Sequence, residues 1–161
     1  MKINLFIPTL NAGLLWEDVI ESIRSQSISF HRKVIIDSGS TDGTLRTPLV
    51  NGFDVIHIDK NNFDHGGTRQ MAVETHPDAD IFVFLTQDAI LANESSVENL
   101  VKMLENNPRL GLAYGRQLPH KHAKALEAHA RLFSYPDHSV IRRLEDADRF
   151  KIRTISCSNS F

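Results

Sequence analysis

The sequence has only one cysteine, Cys157, among its 161 residues. A single thiol cannot form a disulfide within the chain, and sparing use of cysteine is typical of a reducing compartment. No apolar run approaches the roughly 18 to 20 residues that a membrane-spanning helix needs. The apolar run after Lys2 is interrupted at Asn4 and ends at Pro8, so it does not resemble a secretion signal. These absences predict a cytoplasmic protein.

An excess of charge of one sign is also missing. The chain has 18 basic and 20 acidic residues, and its formal net charge is -2. This balance provides no general attraction to polyanions, so we expect no nucleic-acid partner. Basic side chains are concentrated between His120 and Arg153. Most of them fit a solvated helix face, but the segment could also contact an anionic membrane surface, which would make the protein peripheral at the inner face of the cell membrane.

The glycine signatures of common phosphate-binding loops do not occur either. Neither G-x-x-x-x-G-K-[ST] nor G-x-G-x-x-G is present, which argues against a P-loop nucleotidase and an ordinary dinucleotide enzyme. The histidines at positions 120, 122 and 129 have no cysteine or acid at the spacing of a metal site. A zinc site is therefore not expected.

What the chain does contain is the alternation of apolar strands and amphipathic helices that is typical of an α/β domain. Strands are predicted at 3–7 and 33–37, and the helix between them has apolar residues at positions 16, 19, 20 and 23, which share one helical face. A third strand is predicted at 53–58 and a helix at 68–74. The unbroken apolar run at 81–85 predicts a central parallel strand that is covered on both faces.

The second half of the chain predicts further elements of one domain. Ser95 and Glu98 have the spacing of a capping box, at the start of a helix with Val97 and Val101 on its apolar face. The remaining predictions are a fifth strand at 110–117, a helix at 120–133 with Ala123, Leu126, Ala130 and Phe133 facing inward, and a last strand at 150–156.

Polar residues follow three of the predicted strands, at Pro8-Thr9, Asp37 and Asp88. Right-handed crossovers make such strands parallel, so their carboxyl ends meet at one rim of the sheet, where α/β proteins bind ligands. One carboxylate can accept hydrogen bonds from a nucleobase or ribose, and the other can hold a hard divalent cation. The alternative for Asp88 is a helix cap or a solvated loop residue.

These residues belong to motifs that resemble a known family. The segments 7–11, 34–44 and 80–89 resemble, in order and spacing, the family 2 inverting glycosyltransferases of GT-A fold. The pair of segments 63–69 and 86–89 is further similar to the rhamnosyltransferase branch, whose donor is dTDP-L-rhamnose. The resemblance implies a mostly parallel central sheet flanked by helices over residues 1–161. It also implies transfer of L-rhamnose, with inversion, to a growing surface polysaccharide or glycolipid acceptor.

The resemblance implies a set of site residues as well. Asp88 would bind Mg²⁺ or Mn²⁺ bridging the diphosphate of the donor. The diphosphate or sugar would be contacted by His65, Gly66 and Gly67, although His65 could equally order its own loop. The nucleotide would be contacted by Pro8, Thr9, Asn11, Asp37, Ser38, Gly39, Arg69, Thr86 and Gln87.

The chain also departs from the family pattern. The usual paired acids after the second strand are Asp37 and Ser38 here, and the D-x-D motif is Thr86-Gln87-Asp88. The family's catalytic base follows the strand that 152–160 resembles, so we expect the base beyond Phe161 and the donor-binding part within the chain. The acids Asp137, Glu145, Asp146 and Asp148 are interpreted as solvated loop charges. A noncatalytic nucleotide-binding or assembly module is the alternative function, and a sugar-phosphate nucleotidyltransferase is disfavoured because its signature loop after the first strand is absent.

Overall fold

The structure, a computed structural model, describes residues 1–120 and 123–151, which group into two compact units. The first unit, Met1–Asn107, contains a four-stranded sheet with the order β3-β2-β1-β4. Its strands are β1 (Ile3–Thr9), β2 (Arg32–Asp37), β3 (Asp54–His57) and β4 (Ile81–Phe84). All three strand pairings are parallel. The predicted parallel α/β architecture is therefore confirmed, whereas the extent of a single domain over 1–161 stays a prediction.

The described residues place one neighbouring strand beside β4. β1 pairs with β2 on one side and with β4 on the other, and the β1–β4 pairing ends at Phe6 opposite Phe84. In the described part of the chain β4 therefore lies at the end of the sheet, and its four residues are only partly buried. Since residues 152–156, which are predicted to form a further strand, lie outside the described residues, the central position of the strand at 81–85 stays a prediction. Both faces of β4 are indeed covered, since Phe82 and Val83 pack into different apolar clusters.

Helices cover the two faces of this sheet. The helices are α1 (Trp16–Arg24), α2 (Arg46–Val50), α3 (His65–Thr75) and α4 (Ser96–Asn106). Successive residues of a strand point to opposite faces, so Leu5 and Ile7 pack with α1 while Phe6 packs with Ala72 of α3. The apolar residues predicted for one face of α1 are all buried there, at positions 16, 19, 20 and 23.

Helix α3 begins three residues before its predicted start, because an aspartate caps it. The Asp64 carboxylate accepts hydrogen bonds from the backbone N–H groups of Gly66 at 3.0 Å and Gly67 at 2.7 Å. Such a cap satisfies amide groups that the first helical turn leaves without partners. The two glycines, which indicate a loop by composition, are therefore the first turn of a helix.

The predicted capping box of α4 does not form. The Ser95 side chain makes no capping hydrogen bond, although Ser95 does occupy the N-cap position. Glu98 instead accepts a hydrogen bond from Ser27 at 3.0 Å and pairs with Lys102 at 2.8 Å. The Glu98 carboxylate thus binds Lys102, one turn later in the helix, and the Ser27 hydroxyl, which the tertiary fold brings close. These two interactions take the place of a hydrogen bond to the N-cap.

The second unit begins at Pro108 and contains α5 (Ala125–Ser134) and the short α6 (Ala147–Phe150). The predicted fifth strand at 110–117 is wrong, since these residues form no strand. The predicted orientation of α5 is also wrong: Leu126 is 82% exposed and Phe133 is 69% exposed, whereas Tyr135 just after the helix is 3% exposed. The apolar face of a helix turns inward only if another element covers it, and in this unit the described residues leave that face open.

Of the predicted last strand, Phe150 lies in α6 and residues 152–156 lie outside the described residues. Across the described residues, no helix is both long and apolar enough to cross a membrane.

Candidate functional site

A cavity of about 540 Å³ opens at the carboxyl-terminal rim of the sheet in the first unit. Parallel strands bring their carboxyl ends to the same rim, so the loops after β1, β2 and β4 all contribute to the cavity. The α3 helix and the loop before it form the opposite wall. The cavity is lined by Pro8, Thr9, Leu10, Ser38, Lys60, Phe63, His65, Arg69, Thr86, Gln87 and Asp88.

Most of the predicted site residues therefore come together in the lining of this cavity. The predicted residues that do not line the cavity are Asn11, Asp37, Gly39, Gly66 and Gly67. Three lining residues were not predicted: Leu10, Lys60 and Phe63. Phe63 stands in the family-like segment 63–69 and could have been found from it. Lys60 carries no sequence signal, because a lysine after a strand is ordinarily a solvated charge.

Asp37 directs its carboxylate into the protein, where the side chain is only 2% exposed. It accepts hydrogen bonds from the Thr9 hydroxyl at 3.3 Å and from the backbone N–H groups of Gly39 and Ser40 at 3.0 Å each. Burial by itself raises the pKa of this carboxyl group, but the hydrogen bonds from Ser40, Gly39 and Thr9 outweigh it and hold the pKa below the ordinary value. The carboxylate thus stays charged and shapes the loop after β2.

The loops after β1 and β2 are locked to each other by side chain to backbone hydrogen bonds. Asn11 adopts a left-handed backbone conformation, with φ of 47°. Its backbone N–H donates to the Ser40 hydroxyl at 2.9 Å, and its side-chain oxygen accepts from the N–H of Thr41 at 2.8 Å. The N–H of Ala12 donates to the Thr44 hydroxyl at 2.9 Å. Asn11 therefore links the loops after β1 and β2 without lining the cavity.

The loop after β4 is attached to the other side of the β1 loop. The amide oxygen of Gln87 accepts from the backbone N–H of Leu10 at 2.8 Å, and the amide nitrogen donates to the Leu10 carbonyl at 3.3 Å. The N–H of Ala89 donates to the Thr86 carbonyl at 3.1 Å, which closes a turn with Asp88 at its third position. The β1 loop is consequently held on both sides.

Asp88 is exposed and lines the cavity. Among the described residues, its carboxylate has no hydrogen bond and no ion pair. A carboxylate oxygen is a hard ligand that suits Mg²⁺ or Mn²⁺. No cluster of three or more histidine, cysteine or acidic residues that could hold a metal occurs in the described ranges. The residues present fit a cation that takes one ligand from the protein here and completes its coordination with oxygens of a bound phosphate and water.

The wall formed by α3 and the preceding loop is cationic. Arg69 is held in place by a hydrogen bond from its guanidinium to the His65 carbonyl at 2.7 Å, and it lies 6.0 Å from the centre of the Phe84 ring. The His65 ring packs edge-on against Phe63, with 5.1 Å between ring centres. Lys60 lines the same cavity. Arg69, Lys60 and His65 line the cavity together with Asp88, which supplies the carboxylate among the lining residues.

The backbone amides of Gly66 and Gly67, which were predicted to reach the diphosphate or sugar, already donate to Asp64. A Cβ atom on Gly67 would lie 2.4 Å from Oδ2 of Asp64, so a side chain at this position would displace the cap. The two glycines therefore permit the cap that begins α3, and α3 carries His65 and Arg69. Their part in ligand binding stays a prediction.

A parallel sheet between helices, with a rim cavity of this composition, has the architecture of GT-A nucleotide-sugar transferases. The chain matches the description "Glycosyl transferase family 2" over residues 5–158. Since that match covers nearly the whole sequence, the protein belongs to glycosyl transferase family 2. The family resemblance and the GT-A fold predicted from the motifs are confirmed.

Individual relatives agree with this assignment. The O-antigen chain rhamnosyltransferase RfbN of Salmonella typhimurium strain LT2 is 45% identical over 163 residues, which cover 100% of this chain and 51% of RfbN. The O-antigen chain rhamnosyltransferase WbaN of Salmonella anatum is 37% identical over 158 residues, which cover 98% of this chain and 50% of WbaN. The chain thus spans about half the length of these curated relatives.

A solved structure extends the comparison to three dimensions. The glucosyl-3-phosphoglycerate synthase of Mycobacterium tuberculosis, in complex with Mn²⁺, uridine diphosphate and glucosyl-3-phosphoglycerate, is similar to this chain with a TM-score of 0.51 and 26% identity. The match covers 64% of this chain and 39% of the synthase.

Proposed function

We propose that this chain is the donor-binding part of an inverting glycosyltransferase that transfers L-rhamnose from dTDP-L-rhamnose to a growing O-antigen-type polysaccharide or a lipid-linked glycan. The observation that carries the proposal is the cavity at the carboxyl ends of parallel strands. There the Asp88 carboxylate, which has no partner within the described ranges, lies with the cations Lys60 and Arg69. The rhamnosyl group and the O-antigen acceptor are proposed from the names of the two Salmonella relatives.

The charges of the cavity suit a nucleoside diphosphate. A diphosphate carries several negative charges, and moving these charges out of bulk water is costly unless cations lie close to them. Arg69 and Lys60 supply fixed positive charge, and His65 can donate a hydrogen bond from the same wall. Mg²⁺ or Mn²⁺ at Asp88 would supply electrophilic stabilisation of the diphosphate as it leaves the sugar. The Mn²⁺ and uridine diphosphate in the structure of the mycobacterial synthase support a divalent cation in this role.

The nucleoside is proposed to lie against the β1 and β2 ends, at Pro8, Thr9 and Ser38. Asp37, Asn11 and Gly39 do not line the cavity. They serve the nucleoside by holding the loop and the Thr9 hydroxyl in position, because the Asp37 carboxylate already accepts from three donors within the protein. Thr86 and Gln87 complete the opposite side of the cavity.

The acceptor, the location and the base are part of the same proposal. We propose that the acceptor side and the catalytic base lie outside this chain, which spans about half the length of the two Salmonella relatives. Sugar nucleotides of the dTDP class would be met in the cytoplasm, and a lipid-linked acceptor would bring the protein to the inner face of the membrane as a peripheral protein.

Calorimetric titration of the chain with dTDP, UDP and GDP, each with Mn²⁺ and with EDTA, tests the donor site. We expect dTDP to bind, and to bind more tightly with Mn²⁺. Incubation with dTDP-L-rhamnose, followed by detection of free rhamnose or of a glycosylated acceptor, tests the chemistry. Absence of binding by all three nucleotides in both conditions would contradict the proposal. Nucleotide binding with no release or transfer of rhamnose, even by a protein as long as the relatives, would instead favour a noncatalytic nucleotide-binding module.

A further inference from the structure

The contact between Gln87 and Leu10 joins two loops that the sheet itself does not join. Backbone pairing of β1 with β4 ends at Phe6 and Phe84, followed only by the hydrogen bond from the N–H of Leu85 to the Phe6 carbonyl at 3.1 Å. β1 nevertheless continues to Thr9, with β2 as its partner on the other side. Beyond Leu85, the contact that ties the β4 loop to Leu10 is the Gln87 side chain, through hydrogen bonds of 2.8 and 3.3 Å.

The chemistry of this contact is specific for a primary amide. Leu10 presents a backbone N–H and a backbone carbonyl, so the contacting group must accept at one atom and donate at the other. A glutamine does both, and the pairing also determines which end of the amide is oxygen. A carboxylate at the same place would meet the Leu10 carbonyl without a donor, and an aliphatic side chain would leave both half-buried backbone groups without this partner.

The contact between Gln87 and Leu10 affects the cavity because Gln87 immediately precedes Asp88 in the sequence. Asp88 is exposed, and its carboxylate has no partner of its own among the described residues. Its location is set by the turn from Thr86 to Ala89, and that turn is attached to the β1 end through Gln87. The β1 loop is in turn held on its other side by the hydrogen bond between Asn11 and Ser40.

We propose that Gln87 is a positioning residue: its amide clamps the β4 loop to Leu10 and so sets the distance between the Asp88 carboxylate and the nucleoside wall at Pro8 and Thr9. This inference rests on the proposed donor site and assigns Gln87 a role through Asp88, in place of direct contact with the nucleotide. Preorganisation of this kind strengthens binding because the loop does not have to be ordered when the ligand arrives.

Hydrogen exchange tests the clamp without any nucleotide. In Gln87→Met the Leu10 amide should exchange at least tenfold faster than in the parent chain, and in Gln87→Glu, which keeps the acceptor for that amide, the increase should be smaller. The matched control is Gln70→Met, an exposed glutamine on α3 that bonds to Glu74 at 2.9 Å. Unchanged exchange at Leu10 in Gln87→Met would overturn the clamp.

Measurements of nucleotide affinity test whether the Gln87 clamp acts through Asp88. The gain in dTDP affinity on adding Mn²⁺ should fall at least fivefold in Gln87→Met, while the affinity in EDTA stays within twofold of the parent. In an Asp88→Asn background, Gln87→Met should cause no further loss, because it would act through a group already removed. Equal losses with Mn²⁺ and with EDTA, or additive losses in the double variant, would overturn the proposal and assign Gln87 to direct contact. A parent chain that bound no dTDP would contradict the proposed function, and the exchange experiment would still decide the clamp.

Discussion

Gly67 lies so close to Asp64 that a Cβ atom at position 67 would stand 2.4 Å from Oδ2 of the aspartate. At Gly66, one residue earlier, the corresponding Cβ would lie 3.5 Å from Oδ1, which is ordinary contact. The same carboxylate accepts hydrogen bonds from the N–H groups of both glycines. The two glycines therefore offer a matched comparison. Only Gly67 must lack a side chain for the Asp64 cap of α3 to form.

We predict that Gly67→Ala is less stable than Gly66→Ala by about 1 kcal/mol, the typical cost of losing an N-cap hydrogen bond. Both changes remove a glycine from a helix and gain the same intrinsic helix propensity, so that contribution cancels in the comparison. Urea unfolding of the two variants measures the difference. Asp64→Ala should resemble Gly67→Ala, and equal stability of the two glycine-to-alanine variants would refute the steric argument.

The lowered pKa of Asp37 predicts a pH-dependent stability. Because the pKa is lower in the folded than in the unfolded chain, the stabilisation is fully present above the unfolded pKa of about 3.9 and is lost as pH falls through the folded pKa. Asp37→Asn should therefore lower the free energy of unfolding at pH 7 by about 1.5 to 3 kcal/mol, the usual value for hydrogen bonds to a charged group.

Denaturant unfolding between about pH 3 and pH 7 checks this prediction, since that range begins below the unfolded pKa. The difference between Asp37→Asn and the parent should shrink steadily toward the acid end of the range. Asp54→Asn is the control, since Asp54 is exposed on β3 and its pairing with Arg32 at 3.7 Å is of the kind that contributes about 0 to 1 kcal/mol. A penalty for Asp37→Asn that did not vary with pH would show that the charge of Asp37 is not what stabilises the loop.

Removal of the carboxylate at position 88 should weaken nucleotide binding only when a divalent cation is present. We predict that Asp88→Asn weakens dTDP binding in Mn²⁺ at least tenfold, or about 1.4 kcal/mol, and leaves binding in EDTA nearly unchanged. Calorimetry in the two buffers measures both affinities, with Asp18→Asn on the exposed side of α1 as the control. A similar loss in both buffers would show that Asp88 contacts the nucleotide itself.

Lys60 should distinguish nucleotides by their phosphate charge. We predict that Lys60→Met weakens dTDP about threefold to fivefold and leaves thymidine unaffected, and that the effect declines with added salt because the lysine is exposed. Titration at two salt concentrations measures this. Lys102→Met, which removes an exposed lysine paired with Glu98 on α4, is the matched control. An equal loss for thymidine would assign Lys60 to packing and not to the phosphates.

The sequence by itself determined the parallel sheet and the rim on which the site is built. Apolar runs of strand length, separated by helices with one apolar face, leave right-handed crossovers as the way to connect them, and the strand ends then meet at one edge. For that reason the amino-acid pattern alone brings Pro8, Thr9, Asp37 and Asp88 to one rim, where Pro8, Thr9 and Asp88 line the cavity. The family motifs added Ser38 after β2 and His65 and Arg69 from α3.

Only the tertiary structure decided what the polar side chains of that rim are bonded to. The Asp37 carboxylate turns inward to Thr9, and the Gln87 amide reaches Leu10, 77 positions earlier in the chain. Local patterns also mispredicted the exposed face of α5, because that face depends on which distant element lies alongside the helix. Hydrogen-bond partners and neighbouring strands come from residues far apart in sequence, and side-chain periodicity carries information only about the face to which a residue points.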